Sequence, residues 1–222
     1  MSAQPGEARA PRVARGGLAR IDVRTRRLVD VVPFLYNPDT VTRTLKPRAT
    51  AAEPGDRLEA TRLTGPPQET VKVDVEVDAA DQLSQPDQHD PVARHGLLPY
   101  LATLEALITP TAAGLAAVDA LHDRGEMEIL PQQAPLVVLV WSPDRVVPVS
   151  VTSLSITEEA FDRALHPIRA KVSIEARVLS NDDLPHDHVG TGLYLAYRQG
   201  VERLAALTTQ TDVRPLGLSR LP

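Results

Sequence analysis

"VKVDVEVD", residues 71–78, is the stretch that decides the fold. Its four valines alternate with Lys72, Asp74, Glu76 and Asp78. Strict alternation of apolar and polar residues is typical of a β-strand with one buried face. We therefore predict a strand whose valines enter the core and whose opposite face is acidic and solvated.

The last third of the chain repeats this extended character. "IRAKVSIEARVLS", residues 168–180, alternates in the same way, and "APLVVLVWS", residues 134–142, is a continuous apolar run that we expect to be covered on both faces. "RVVPVSVTSLSIT", residues 145–157, follows that run. Read as a regular strand, it has Val149, Val151, Ser153 and Ser155 on one face and Ser150, Thr152, Leu154 and Ile156 on the other. The pattern predicts several strands of one antiparallel sheet.

The N-terminal part predicts a hairpin and a turn. "GLARIDVRT" and "LVDVVPFLY" are two extended segments joined across "RTRR", and Pro33 restricts the second to an edge position or a bulge because proline donates no ladder hydrogen bond. "NPDT", residues 37–40, is typical of a turn, since Asn and Asp bond nearby backbone and Pro presets φ. "VTRTL" then resumes an extended conformation.

Helical periodicity appears in two places. Residues 97–124 form a helical insert of two short helices, with Pro99 in the first turn and Gly125 closing the second helix, whereas residues 79–96 read as irregular. "LYLAYRQGVERLAALTTQ", residues 193–210, predicts a C-terminal helix. The order of strands, helical insert, strands and final helix predicts an α+β fold with a mainly antiparallel barrel or sandwich.

Composition excludes several classes of function. The 222 residues include no cysteine, which removes disulfides and thiolate chemistry, and no apolar run approaches the ~18 residues of a membrane span. The net charge is −5, although residues 1–27 carry seven arginines against Glu7 and Asp22. We interpret residues 1–16 as a flexible basic tail and find no pattern typical of nucleic-acid binding, so we expect neither nucleic acid nor membrane insertion.

No constellation of residues predicts an active site. His186 and His188 in "HDH" could contribute to a divalent metal site, but further ligands would have to come from elsewhere. The serines lack a Gly-x-Ser-x-Gly turn, and no phosphate-binding glycine loop is present. We predict no catalytic residue, no cofactor and no metal site, while two alternatives stay open: a small metal-dependent hydrolase using His186 and His188, and a monomeric β-barrel ligand carrier.

Three segments in order resemble one protein family. "FLYNPDTVTRTLKP" is similar to the Phe-x-Phe-Asn-Pro motif of the tube-initiator and baseplate-adaptor proteins of contractile injection systems, which are phage-tail-like particles. "VKVDVEVDAADQ" with "DPVARHGLLPYLATLEALITP" resembles the next strand and helix of that family, and residues 135–178 resemble its closing part. The resemblance covers about residues 17–180.

The resemblance implies a tube-like β domain at residues 17–180, followed by a C-terminal helix and tail at 181–222. It implies a non-enzymatic subunit that forms a six-fold ring between the spike or hub protein and the inner tube protein, contacts other baseplate subunits, and is assembled in the cytoplasm into a particle. Many family members carry a LysM module after this domain, whereas the last forty residues here do not read as one.

The resemblance also assigns structural and interface roles to individual residues. Phe34, Tyr36 and the turn at Asn37 and Pro38 would pin the first hairpin to the barrel, with both aromatic side chains anchored by burial. The remaining positions of the same pattern are Arg43, Trp141 and Arg169.

Overall fold

The computed structural model describes residues 14–48, 62–84, 90–124, 134–209 and 212–220. Its seven strands are β1 (Gly17–Ile21), β2 (Leu28–Pro33), β3 (Val41–Lys46), β4 (Gln68–Asp78), β5 (Leu136–Ser142), β6 (Arg145–Phe161) and β7 (Pro167–Val178). They form one antiparallel sheet in the order β2-β1-β5-β6-β7-β4-β3. The sheet is not closed, and β2 and β3 are its edge strands. The predicted α+β fold with an antiparallel sheet is therefore confirmed.

The alternating segments form strands because each has an apolar face to bury. Val71, Val73, Val75 and Val77 are each at most 4% exposed, whereas the charged side chains between them face outward. β7 repeats the pattern opposite β4, with Val73 paired to Ile174 and Val75 to Val172. β5 is buried from Leu136 to Leu139, as its continuous apolar run predicts. The position of β2 at an edge agrees with the expectation from Pro33.

One strand departs from the predicted register. β6 carries a β-bulge between Val151 and Ser153, so the pairing with β7 shifts by one residue there. Val151 then faces the core, and so does Leu154, which pairs with the buried Ile174. The prediction that Leu154 and Ile156 lie opposite Val149 and Val151 is wrong, because the extra residue reverses the alternation. The bulge keeps apolar residues on the inner face of β6 from Val147 to Ile156.

The helices lie between β4 and β5 and after β7. They are α1 (Ala80–Leu83), α2 (Asp90–His95), α3 (Leu98–Glu105), α4 (Ala112–Asp123) and α5 (Val189–Ala206), and a 3₁₀ turn spans Arg214–Leu216. The helical insert and the C-terminal helix are as predicted, with Pro99 in the first turn of α3. The prediction that 79–96 is irregular is wrong at α1 and α2. The expected closure of the second helix at Gly125, and most of the predicted basic tail, lie outside the described residues.

The sheet curves until its two halves pack on each other. Leu18 of β1 and Leu139 of β5 line the same small cavity as Val71 of β4 and Ile174 of β7, although β6 separates these strand pairs in the sheet. That cavity measures only about 10 Å³, which is barely enough for one water molecule, so the two halves are closely packed there. α3 covers β1 and β2, where the Arg20 guanidinium bonds both the Asp30 carboxylate and the Ala106 carbonyl.

Candidate assembly surfaces

Residues 34–40 connect β2 to β3 and therefore join the two edges of the open sheet. Seven residues of extended chain reach at most roughly 25 Å, so this connection keeps the two edges near each other. Phe34 begins the connection and is 1% exposed. Its ring lies 6.5 Å from that of Trp141, and both rings contact the space beside Gly16. Phe34 thus fastens the connection to the core through apolar contact.

Asn37 fixes the same connection by hydrogen bonds. Its Oδ1 accepts from the Gly16 amide at 3.0 Å, and its Nδ2 donates to the Ala14 carbonyl at 2.8 Å. The Phe34 amide donates to the Gly16 carbonyl at 2.8 Å. The chain entering β1 is therefore held to the connection by three hydrogen bonds. Two of them come from the Asn37 side chain, which satisfies backbone groups as asparagine often does.

Tyr36 does not anchor by burial. Its side chain is 42% exposed, so the expected burial of both aromatic residues is wrong for this one. The hydroxyl instead donates to Asp81 Oδ2 at 2.8 Å, and this hydrogen bond raises the pKa of Tyr36. Tyr36 therefore ties the connection to α1 at the surface.

A buried polar cluster, Arg43–Glu69–Tyr197, fastens the other edge. Glu69 is only 4% exposed, and its Oε1 accepts from Arg43 Nε at 2.7 Å. The Tyr197 hydroxyl of α5 lies 3.3 Å from the same carboxylate and also bonds the Arg43 guanidinium. Burial would lower the pKa of Arg43, but the bond and charge of Glu69 outweigh it, so the pKa is raised. Burial raises the pKa of Tyr197, because the charged form of a tyrosine is the deprotonated one. The cluster joins β3, β4 and α5.

The sequence analysis identified Arg43 but missed Glu69 and Tyr197. A signal for Glu69 existed, because it occupies the inward phase of the alternation that includes Val71. Its cation lies 26 residues away and Tyr197 lies 128 residues away. Contacts over such separations depend on the tertiary fold and leave no local pattern.

The outer face of β6, β7 and β4, with the neighbouring β3, forms a polar surface that we call the polar face. Its outward side chains are Thr42, Thr44, Lys72, Asp74, Glu76, Asp78, Ser155, Thr157, Glu159, Arg169, Lys171, Ser173, Glu175 and Arg177. Arg169 pairs with Asp78 at 2.8 Å and Lys171 with Glu159 at 2.9 Å. These bonds raise the pKa values of Arg169 and Lys171. The face therefore mixes both signs of charge, and two of its cations are each paired with a carboxylate of the same face.

An open groove of about 910 Å³ lies where the connection meets the polar face. Four of the sequence-predicted residues line it: Tyr36, Asn37 and Pro38 from the connection, and Arg169 from β7. Trp141 lies apart from the groove, against Phe34, and Arg43 belongs to the buried cluster. The structure thus places the seven residues in three neighbouring environments.

The edge strand β2 presents apolar side chains to solvent. Leu28 is 60% exposed, Val29 is 50% and Val31 is 53%. Such an edge offers unpaired backbone groups to another strand and is a hazard for aggregation in a free monomer. β3, the opposite edge, exposes Leu45 at 45%.

One histidine of the predicted pair, His188, has a structural role. His188 is the N-cap of α5, and its Nδ1 accepts from the Gly190 amide at 3.0 Å. Among the residues that the structure describes, no three His, Cys, Asp or Glu side chains are grouped so as to hold a metal ion. Within the same ranges, no helix is both long and apolar enough to cross a membrane.

Comparison with known proteins gives no further assignment. No protein-family model matches the chain, and no curated protein matches its sequence.

Proposed function

We propose that the chain is a structural subunit of a contractile injection system, a tube initiator that forms a ring between the spike complex and the inner tube. The resemblance of three ordered segments supports this role. The proposed partners are further copies of the chain, the inner tube protein, the spike or hub protein and other baseplate subunits, with assembly in the cytoplasm. The subunit acts through geometry and carries no catalytic group.

The observation that carries the proposal is the open sheet with two unlike edges. β2 and β3 run in the same direction, since six successive antiparallel pairings separate them. The β3 edge of one copy can therefore lie beside the β2 edge of the next without inverting the subunit. Such a heterologous contact generates a closed ring when the rotation between copies is right. The apolar side chains of β2 would be covered in that contact.

The polar face supports the same role. A sheet face that mixes charges of both signs stays hydrated and presents no field of a single sign to a passing macromolecule. In a ring it would line the lumen. The groove beside the connection would then lie at the rim of the lumen.

Charging the β2 edge tests the proposal. Val31→Lys places a cation on the exposed edge, and we expect ring formation with the tube and spike proteins to fall at least tenfold because charged edges resist strand pairing. Leu195→Lys is the matched control, since Leu195 is similarly exposed at 45% but lies on α5. Both variants should unfold at the wild-type temperature.

Micrographs of particles from cells that lack the protein give the wider test. We expect sheathed or tubed particles to be absent and to return with the wild-type gene or with Leu195→Lys. Normal tubes in the deletion strain would rule out the tube-initiator role. Normal tubes with Val31→Lys would leave that role standing but rule out β2 as the ring contact.

The groove of about 910 Å³ favours one other candidate, a monomeric ligand-binding protein. Saturable binding of a small molecule that Arg169→Ala abolishes, in a protein that never joins a particle, would favour it over the assembly role.

A further inference from the structure

The turn between β6 and β7 presents two apolar side chains at an exposed tip. Phe161 is 48% exposed and Leu165 is 77% exposed. Leu165 also has a φ of 64°, a conformation that a bulky residue adopts only at a cost and that Asn or Gly accepts readily. An apolar residue that is strained and solvated at once gains nothing within its own chain. An outlier of this kind points to a functional contact.

The tip is rigidly held. The Asp162 carboxylate accepts from the Ala164 and His166 amides at 2.8 Å and from His166 Nδ1 at 3.0 Å. At its base, the Leu97 amide donates to the Pro167 carbonyl at 2.8 Å. These bonds hold Phe161 and Leu165 in place before any partner binds.

An open apolar cavity of about 340 Å³ lies far along the same ribbon. Its apolar lining includes Val23, Ile108, Leu136, Val151, Leu179 and Leu184. Val151 and Phe161 are ten residues apart on β6, which is roughly 30 Å of strand at ~3.3 Å per residue. The tip therefore cannot fill the cavity of its own chain.

Charge favours contact between these two features. The tip carries Glu158, Asp162 and Arg163 in exposed positions, so these three side chains together have one net negative charge. The turn that begins at Val23 beside the cavity carries three arginines, Arg24, Arg26 and Arg27. Two aspartates of the opposite rim, Asp182 and Asp183, are already paired with Arg48 and Arg177. Asp22 and Asp187 are the other acidic groups nearby.

We propose that the β6–β7 tip of one copy inserts Phe161 and Leu165 into the apolar cavity of a second copy. A knob and a hole on different parts of one molecule make a heterologous, head-to-tail contact that repeats from copy to copy. This contact runs along the strands, whereas the β2 and β3 edges offer contacts across them. It stands on its own observations and does not depend on the proposed function.

Disulfide cross-linking tests the contact directly, because the chain has no cysteine. Ser150 is exposed and lines the cavity, so Ser150→Cys and Leu165→Cys are made as single variants. Under mild oxidation a mixture of the two should give the mixed dimer at least tenfold faster than either homodimer. The double variant should give a ladder of dimers, trimers and longer species. Ser155→Cys, exposed on the same strand but outside the cavity, replaces Ser150→Cys in the control mixture.

A second set of variants separates association from folding. Leu165→Asn relieves the φ strain, so we expect an unchanged or higher unfolding temperature. Because this variant has no cysteine at position 165, the tip thiol is placed at the exposed Ala164, and Leu165→Asn should slow the cross-linking of Ala164→Cys to Ser150→Cys at least tenfold. Glu158→Lys should weaken cross-linking, and Arg24→Glu in the partner molecule should restore it. The proposal is wrong if the mixed dimer forms no faster than in the Ser155→Cys control, or if Leu165→Asn leaves the rate of cross-linking between Ala164→Cys and Ser150→Cys unchanged.

Discussion

The two edges of this sheet are held to the core by different kinds of interaction, apolar packing at one edge and a buried ion pair at the other. At the β2 edge, the buried Phe34 packs against Trp141 and holds the connecting segment through apolar contact. At the β3 edge, the buried carboxylate of Glu69 is held by Arg43 and Tyr197. Apolar contact tolerates small shifts and depends on volume, whereas a buried ion pair depends on each partner being present. The comparison shows how one open sheet keeps both edges in place while leaving their outer sides available.

The largest effect should come from removing the apolar fastening. Phe34→Ala deletes a ring that is 1% exposed, and we expect the free energy of unfolding to fall by about 3–5 kcal/mol in urea denaturation. Tyr36→Ala is the control and should cost less than about 1 kcal/mol, because Tyr36 is 42% exposed. Equal losses for the two variants would show that Phe34 is not the anchor.

The next effect should come from breaking the ionic fastening. Arg43→Met leaves the Glu69 carboxylate buried without a cation, and we expect a loss of about 2–3 kcal/mol in the same assay, since Arg43 itself is partly exposed. Adding Glu69→Leu should recover at least half of that loss, because the pair is then replaced by apolar groups. A double variant as unstable as the sum of both single variants would contradict a coupled cluster.

The next effect should be a dependence of stability on pH that comes from Tyr100, beside the end of β2. Burial raises the pKa of Tyr100 to about 12, and its hydroxyl donates to the Pro33 carbonyl at the end of β2 at 3.2 Å. The unfolded chain ionises this group near pH 10, so its stabilisation is complete below that pH and is lost as the pH rises towards about 12. Unfolding curves between pH 9 and 12 should therefore show stability falling by roughly 1–2 kcal/mol more in the wild type than in Tyr100→Phe. Parallel curves would show that the partly buried Tyr100 hydroxyl does not have a raised pKa.

The smallest effect is a gain on the β3 side. A Cβ added at Gly200 in α5 meets nothing within 4 Å, so Gly200→Ala should stabilise the protein by about 0.5–1 kcal/mol. Because Tyr197 links α5 to β3, amide exchange should slow in α5 and β3 more than in β2. Gly190→Ala is the opposing control, since its Cβ would meet the Leu184 Cδ1 at 2.5 Å and should destabilise the helix start.

Much of the fold could be predicted because burial leaves a local trace. Alternation located β4 and β7, and Pro33 placed β2 at an edge. The bulge at Val151 was missed although the apolar phase of β6 changes there, because a regular strand was assumed. The helices α1 and α2 were missed because four and six residues are too few to establish a period.

The candidate surfaces were less accessible to sequence reasoning. Asn37 stood out as a turn residue, yet its bonds to Ala14 and Gly16 reach 23 and 21 residues back along the chain. Tyr36 was expected in the core because the family resemblance pairs it with Phe34 as an anchor, whereas its bond to Asp81 depends on where α1 follows β4. The type of a residue shows which contacts its side chain is able to make. Which of these contacts forms depends on the residues that the fold places around it.

The sequence by itself determined the two-residue period of the strands, the helical insert and the final helix, because each reflects burial of one face by a continuous segment. The tertiary structure alone decided that β3 becomes the second edge, that residues 34–40 join the two edges, and that Glu69 meets Arg43 and Tyr197. Strand pairing and buried ion pairs join residues that are far apart along the chain, and each residue has several possible partners. They are settled by the simultaneous packing of the whole core, which no single segment encodes.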